Sequence, residues 1–245
     1  MIWLGGWWLF ALLVVVALIA LHELYTMTRS LRPLVLAGYT GAFLALLGAE
    51  LGGIVWMLGG FMTTFALAFL LKGMAETRMP TTVSIGTTVL GAGWIGLGLG
   101  HLILLRGIPV HAQLAAFTVV LAVFAGDTAA YAIGRLVGRH KLAPLTSPRK
   151  TWEGFIAGAV VFILVPFFSM YKAHFLSVPQ SLLLGVVIAI AAPLGDLFES
   201  ALKRDMQVKD AGTLLAGHGG VLDRIDAPLF AVVAAFYLLV AFGFA

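Results

Sequence analysis

The chain contains no cysteine. Disulfides, thiolate nucleophiles and cysteine-based zinc or iron–sulfur centres are therefore excluded. Charge is nearly as scarce. Asp, Glu, Lys and Arg make up 11% of the 245 residues, while hydrophobic residues reach 61%. A soluble domain has roughly 25% charged residues, so this chain cannot coat itself with a water-facing surface. Disorder is excluded by the same apolar excess. Residues 1–21 carry no charge, and the first basic residue, Arg29, follows the first apolar run. A secretory signal has its bases before that run, so the segment reads as a first transmembrane helix and not as a cleaved leader. No P-loop is present, because Gly-Lys never occurs as a dipeptide. Gly91-Ala-Gly-Trp-Ile-Gly96 fits G-x-G-x-x-G but sits inside an apolar span, with no strand before it and no acid about twenty residues later. It reads as helix packing rather than a dinucleotide loop.

What remains is a polytopic membrane protein, with a mean hydropathy of +1.05. Apolar runs at about 3–21, 31–48, 53–71, 82–105, 113–134, 154–171, 180–200 and 227–245 predict eight spans. The odd connections hold Arg29 and Arg32; Lys72 and Arg78; Arg135, Arg139, Lys141, Arg149 and Lys150; and Lys203, Arg204, Lys209 and Arg224. The even ones hold only Arg106 and Lys172. By the positive-inside rule the odd connections are cytoplasmic and both termini face outward. Residues 1–112 read as N-terminal scaffold helices. Residues 113–245, with eight of the eleven acids, read as the catalytic membrane region. Gly134-x-x-x-Gly138 and Gly154-x-x-x-Gly158 suit close helix contacts; the first, at a helix end, is the weaker signal.

Three places concentrate chemistry. Asp127 lies inside the fifth span, where a carboxylate costs several kcal/mol unless paired or hydrated. It fits either an ion pair with a neighbouring helix or the wall of a polar, cytoplasm-facing cavity, with Tyr131 on its face at i+4. The fifth connection contains Ser147-Pro-Arg-Lys-Thr-Trp-Glu153, in which Ser147-Pro148 predicts a turn. Arg149 and Lys150 would grip phosphate. The seventh span ends with Asp196, Glu199, Ser200 and Lys203 as one polar helical stripe, followed by Arg204, Lys209, Asp210, Gly217-His-Gly-Gly220, Asp223, Arg224 and Asp226. Acids on either side of intervening bases suit a hard divalent cation held by oxygen, with the bases on phosphate. Glycines near Gly219 and Gly220 let backbone amides approach phosphate oxygens. His218 between glycines reads as structural or catalytic.

The run Ser200-x-Leu-Lys-Arg-x4-Lys209-Asp-x-Gly-x2-Leu-x2-His218-Gly-Gly-x2-Asp223-Arg-Ile-Asp226 resembles the motif of the phosphatidate cytidylyltransferases, or CDP-diacylglycerol synthases. Asp127-Thr-Ala-Ala-Tyr-Ala-Ile-Gly-Arg135 and Ser147-Pro-Arg-Lys-Thr-Trp-Glu-Gly154 are similar to that family's upstream segments, in the same order. The resemblance covers residues 123–230; the first hundred residues match only as generic spans. Ala216 stands where the family usually has Pro, and Thr213 where Asn is common. The chain also begins near what resembles the family's second span, so one N-terminal helix is expected to be missing.

The resemblance implies an all-α membrane enzyme that converts CTP and phosphatidate to CDP-diacylglycerol and diphosphate, acting as a homodimer in the cell membrane. It implies Mg²⁺, with room for K⁺ beside it, and no nucleic-acid partner. It places the metal on Asp196 and Asp223, and the chemistry of the residues adds Asp226 as a weaker candidate. Asp196, Asp223, Lys203, His218 and Asp127 become the expected catalytic set. Ser200, Arg204, Lys209, Asp210, Gly219, Gly220, Arg224, Ser147, Arg149, Lys150 and Tyr131 become the substrate contacts. A CTP-dependent lipid-alcohol kinase would have similar needs. A transporter would show inverted repeats and midplane charges, whereas here the acids cluster at one face.

Overall fold

The structure is a computed structural model and describes residues 1–75, 79–144, 146–212 and 219–244. Helices dominate it: α1 (Gly6–Met27), α2 (Val35–Met74), α3 (Thr81–Gly91), α4 (Gly98–Arg106), α5 (Ala112–Val137), α6 (Trp152–Lys172), α7 (Val178–Asp205) and α8 (Leu222–Ala241). A π-helical turn over Ala92–Leu97 joins α3 to α4, so residues 81–106 form one rod. Among the described residues, seven helices are long and apolar enough to cross a membrane. This is an all-α, multi-pass membrane protein.

At 40 residues α2 would run about 60 Å if straight, twice the hydrocarbon core. It is not straight. Gly52 and Gly53 leave helical geometry, and Gly53 takes a φ of 68°, a left-handed value that glycine adopts without steric cost. Beyond the break the chain doubles back. Gly48 lies against the Trp56 backbone, Gly60 against Leu44 and Gly41 against Thr64. These pairings are those of two antiparallel arms. The arms hold the runs read from sequence as 31–48 and 53–71. The last helix starts at Leu222, five residues before the expected 227, so Asp223 and Asp226 stand in its first turns.

The sequence predicts a turn at Ser147-Pro148. Instead, Lys141–Ala143 (β1) and Ser147–Thr151 (β2) pair as an antiparallel hairpin, with Ala143 opposite Ser147. The reversal falls just before Ser147. Pro148 sits near the start of a strand in a two-stranded sheet, where its missing N–H is tolerated.

The chain divides into two compact units, residues 1–104 with 205–225, and residues 105–204 with 226–245. In the first, the α1 residue Tyr25 is buried and its hydroxyl donates to the Thr88 carbonyl at 2.7 Å. Gly38 and Gly91 flank its ring closely enough that neither could carry a side chain unmoved. In the second, α5 and α6 pack along much of their length. Gly154 meets Ala130 and Gly134, and Gly158 meets Ala130 and Gly126. Both small-residue pairs noted in the sequence therefore lie in or beside this contact. Gly195 of α7 packs against the backbone of Asp226 and Ala227 on α8.

Candidate active site

In the C-terminal unit, the end of α7 and the hairpin meet at Asp196. The Lys150 Nζ of β2 lies 2.6 Å from Asp196 Oδ2, and the Ser200 hydroxyl donates to Asp196 Oδ1 at 3.3 Å. Asp196 and Ser200 are one helical turn apart, as the i, i+4 spacing requires. One turn further, Lys203 holds Glu199 at 2.7 Å. Glu199 is only 1% exposed. Asp127 on α5 is close enough for its charge to interact with Asp196 and Lys150. Asp226, 7% exposed, interacts likewise with Glu199 and Asp196. Two ion pairs, Lys150 with Asp196 and Lys203 with Glu199, thus lie within electrostatic reach of two further carboxylates, Asp127 and Asp226. Arg204 also belongs here, its Nε 3.4 Å from the Thr146 carbonyl.

The hairpin that delivers Lys150 is pinned at its open end. The His140 ring lies 2.7 Å from Glu153 Oε1, the Trp152 N–H donates to the His140 carbonyl at 2.9 Å, and Thr151 caps α6 by accepting from the Gly154 N–H at 3.2 Å. A Thr at the N-cap satisfies one of the open N–H groups of a helix start. The residues Ser147 to Gly154 therefore act as a brace that leads Lys150 to Asp196. Arg149, in the same strand, is exposed. Tyr131 shares the Asp127 face by spacing but is 67% exposed, and its hydroxyl accepts from Arg135 at 3.2 Å.

The N-terminal unit, described by itself, holds the rest of the motif. The Asp223 carboxylate accepts from the Gly220 N–H at 2.7 Å and from the Ala211 N–H at 3.2 Å. In this arrangement the Gly220 amide serves Asp223 rather than standing open to a ligand. Gly219 takes a φ of 81° against Asp223. Lys209, Asp210 and Arg224 are exposed. His218 lies outside the described residues, as do Thr213 and Ala216.

Sequence reasoning passed over one acid here. Glu23, at the end of α1, is 6% exposed. Its carboxylate accepts from the Val221 N–H at 3.0 Å and the Leu222 N–H at 2.8 Å. The only sequence signal is a carboxylate placed at the end of a long apolar run. It also passed over Glu199, which it saw as part of the stripe but not as the buried partner of Lys203.

The donor set fits a hard divalent cation. Every candidate ligand is a carboxylate oxygen, and around Asp196 the four carboxylates Asp127, Asp196, Glu199 and Asp226 outnumber the two paired lysines, Lys150 and Lys203, a surplus that burial opposes. Among the described residues no three His, Asp or Glu side chains form a ready-made cage. Mg²⁺ does not need one, since it binds through one or two carboxylates, waters and substrate phosphates.

Residues 1–242 match the family model described as the cytidylyltransferase family. The chain is 41% identical to the phosphatidate cytidylyltransferase of Staphylococcus haemolyticus (strain JCSC1435) over 143 residues, which is 58% of this chain and 54% of that protein. It thus spans about half the length of the staphylococcal relatives it matches. It is 32% identical over 251 residues to the phosphatidate cytidylyltransferases of Mycobacterium bovis and Mycobacterium tuberculosis (strain H37Rv), covering 94% of this chain and 79% and 74% of those proteins. With the family model matching almost end to end and the mycobacterial relatives covered over most of their length, the chain belongs to the cytidylyltransferase family.

Proposed function

We propose that this protein transfers the cytidylyl group of CTP to phosphatidate, releasing diphosphate and leaving CDP-diacylglycerol in the bilayer. The observation that carries the reading is the carboxylate cluster around Asp196, with Lys150 held against it, in a chain whose relatives are named phosphatidate cytidylyltransferases. A phosphate monoester has its second pKa near ~6. Phosphatidate therefore arrives as an anionic nucleophile, and no strong general base is required. One of its phosphate oxygens attacks the α-phosphorus of CTP. The bond from that phosphorus to the bridging oxygen breaks, and diphosphate leaves with the electron pair.

The barrier is repulsion between two polyanions and charge growing on the leaving group. Mg²⁺, held by Asp196 and Asp223 with Asp226 as the weaker ligand, would supply electrostatic stabilisation of that charge, and K⁺ would fit beside it. Lys150, Arg149, Lys203, Arg204, Lys209 and Arg224 neutralise triphosphate and lipid phosphate. Ser200 orients Asp196. Asp127 lines the cavity, while Tyr131, Ser147, Asp210 and Gly219 contact substrate around it and Gly220 holds Asp223 in place. His218 would serve loop shape or phosphate contact, not proton transfer. The enzyme works as a homodimer in the cell membrane, with these groups facing the cytoplasm, where CTP is found.

The decisive assay gives purified protein cytosine-labelled CTP, phosphatidate and Mg²⁺. Label entering the organic phase in step with released diphosphate supports the proposal. A CTP-dependent kinase would instead release labelled CDP and leave the lipid unlabelled, and that result would overturn it. Orientation is testable separately, since the chain has no native cysteine. A cysteine replacing the exposed Pro144 should stay unlabelled by an impermeant thiol reagent in intact cells and react after permeabilisation. Labelling in intact cells would reverse the topology.

A further inference from the structure

We infer that Glu23 is a positioning residue for the metal-binding end of α8: a carboxylate on the first helix that holds in place the backbone presenting Asp223. The inference rests on the cytidylyltransfer reading only for what Asp223 is held to do. Helix α8 starts at Leu222, and its first N–H groups have no partner within the helix. Glu23 fills the first of those donor positions and the one just before it, with one carboxylate oxygen on the Leu222 N–H and the other on the Val221 N–H. A carboxylate at a helix N-terminus is favoured both by the charge-assisted hydrogen bonds and by the helix dipole. This one comes from a residue 198 positions away in the chain, so it ties the backbone at 221–222 to α1 rather than merely finishing a helix.

The glycines on either side explain how the carboxylate fits. A Cβ at Gly212 would stand 2.5 Å from Glu23 Oε1, and a Cβ at Gly220 would stand 2.5 Å from Glu23 Oε2. Both ends of the 212–220 segment therefore press against one carboxylate. The N–H of Gly220 itself and that of Ala211, next to Gly212, both donate to Asp223. The result is a chain of contacts: Glu23 fixes Gly212, Gly220 and the first turn of α8, and that backbone fixes the Asp223 carboxylate. The glycines at 212 and 220 in the motif are spacing residues for an acid outside it. Glu23 touches no substrate in this scheme; it acts through Asp223.

The test uses the full chain in detergent micelles. Glu23→Gln keeps length and volume but replaces one acceptor oxygen with an NH₂ that faces a backbone donor. Hydrogen exchange of the amides at 220–222 should become about tenfold faster, as expected when one of two charge-assisted bonds is lost. Mn²⁺ binding, followed by electron paramagnetic resonance without substrate, should weaken by a similar factor. The kcat should fall while KM for phosphatidate stays unchanged, because the lipid contacts remain. Gly212→Ala, which pushes the carboxylate from the other side, should reproduce these changes and add nothing when Glu23 is already Ala.

Unchanged exchange and Mn²⁺ affinity in folded Glu23→Gln would overturn the inference. Should Glu23→Gln not fold, the same two measurements on Gly212→Ala decide, with unchanged values overturning it. Failure of the wild type to label lipid would sink the proposed reaction alone, because the exchange measurement does not depend on turnover.

Discussion

Asp196→Asn and Asp223→Asn are each expected to lower turnover at least ~100-fold, about 2.7 kcal/mol of barrier, without unfolding the protein. The two effects separate because of how each carboxylate is held. Asp196 and Lys150 are both partly exposed, and an ion pair in that setting contributes no more than about 1 kcal/mol to stability. Asn can still accept from Ser200 through its carbonyl oxygen. What it cannot do is offer a full negative charge to a divalent cation. Asp223 has more to lose structurally, since it accepts from both Gly220 and Ala211. One amide oxygen can replace only part of that, so about 1–2 kcal/mol of stability should go as well. Steady-state rates at saturating CTP, set beside thermal midpoints for the same preparations, measure both quantities. Near wild-type turnover in either variant would remove that residue from the metal site.

The spans were legible in the sequence because bilayer thickness dictates the length of an apolar run. The reversal inside α2, at Gly52 and Gly53, falls where the run read as 31–48 gives way to the run read as 53–71. The stripe of Asp196, Glu199, Ser200 and Lys203 was legible for a different reason. An i, i+3, i+4, i+7 pattern at the end of an apolar helix has to make a polar stripe, and in the structure Ser200 engages Asp196 and Lys203 engages Glu199.

Three things were not legible. A hairpin with strands of three and five residues is too short to show an alternating pattern, and Ser-Pro read as a turn when the reversal lies just before it. The spacing of Tyr131 from Asp127 fixes a shared side of α5 but not whether that side is covered, and the ring proved exposed. Glu23 stood out only as a carboxylate at the end of an apolar run, with nothing to indicate its partners, because these are backbone amides at Val221 and Leu222. Backbone donors have no sequence identity, so a side chain that serves them leaves no paired signature.

The packing of α5 on α6 should be the most sensitive structural point of the C-terminal unit, and Gly154→Leu should show it. Any Cβ at position 154 would stand 2.5 Å from the Ala130 carbonyl oxygen and 3.0 Å from the Gly134 Cα. Both are backbone atoms, which cannot rotate away as a flexible side chain would. The helices must part, at a cost of about 1–3 kcal/mol for overpacking. Separation also strains the Thr151 cap, whose hydroxyl accepts from the Gly154 N–H, and a lost cap adds about 1 kcal/mol. A total near 3 kcal/mol corresponds to a fall in thermal midpoint of roughly 6–12 °C, at ~2–4 °C per kcal/mol for a chain of this size. Activity should fall with it, because α5 carries Asp127 while β2, which runs into α6, carries Lys150. Gly86 is the control, since nothing lies within 4 Å of a Cβ built there. Gly86→Ala should leave the midpoint unchanged or raise it, by up to about 1 kcal/mol of helix propensity. Size-exclusion thermostability measurements on both variants compare the two directly. An unshifted midpoint in Gly154→Leu would mean that α5 and α6 are not held together through this glycine.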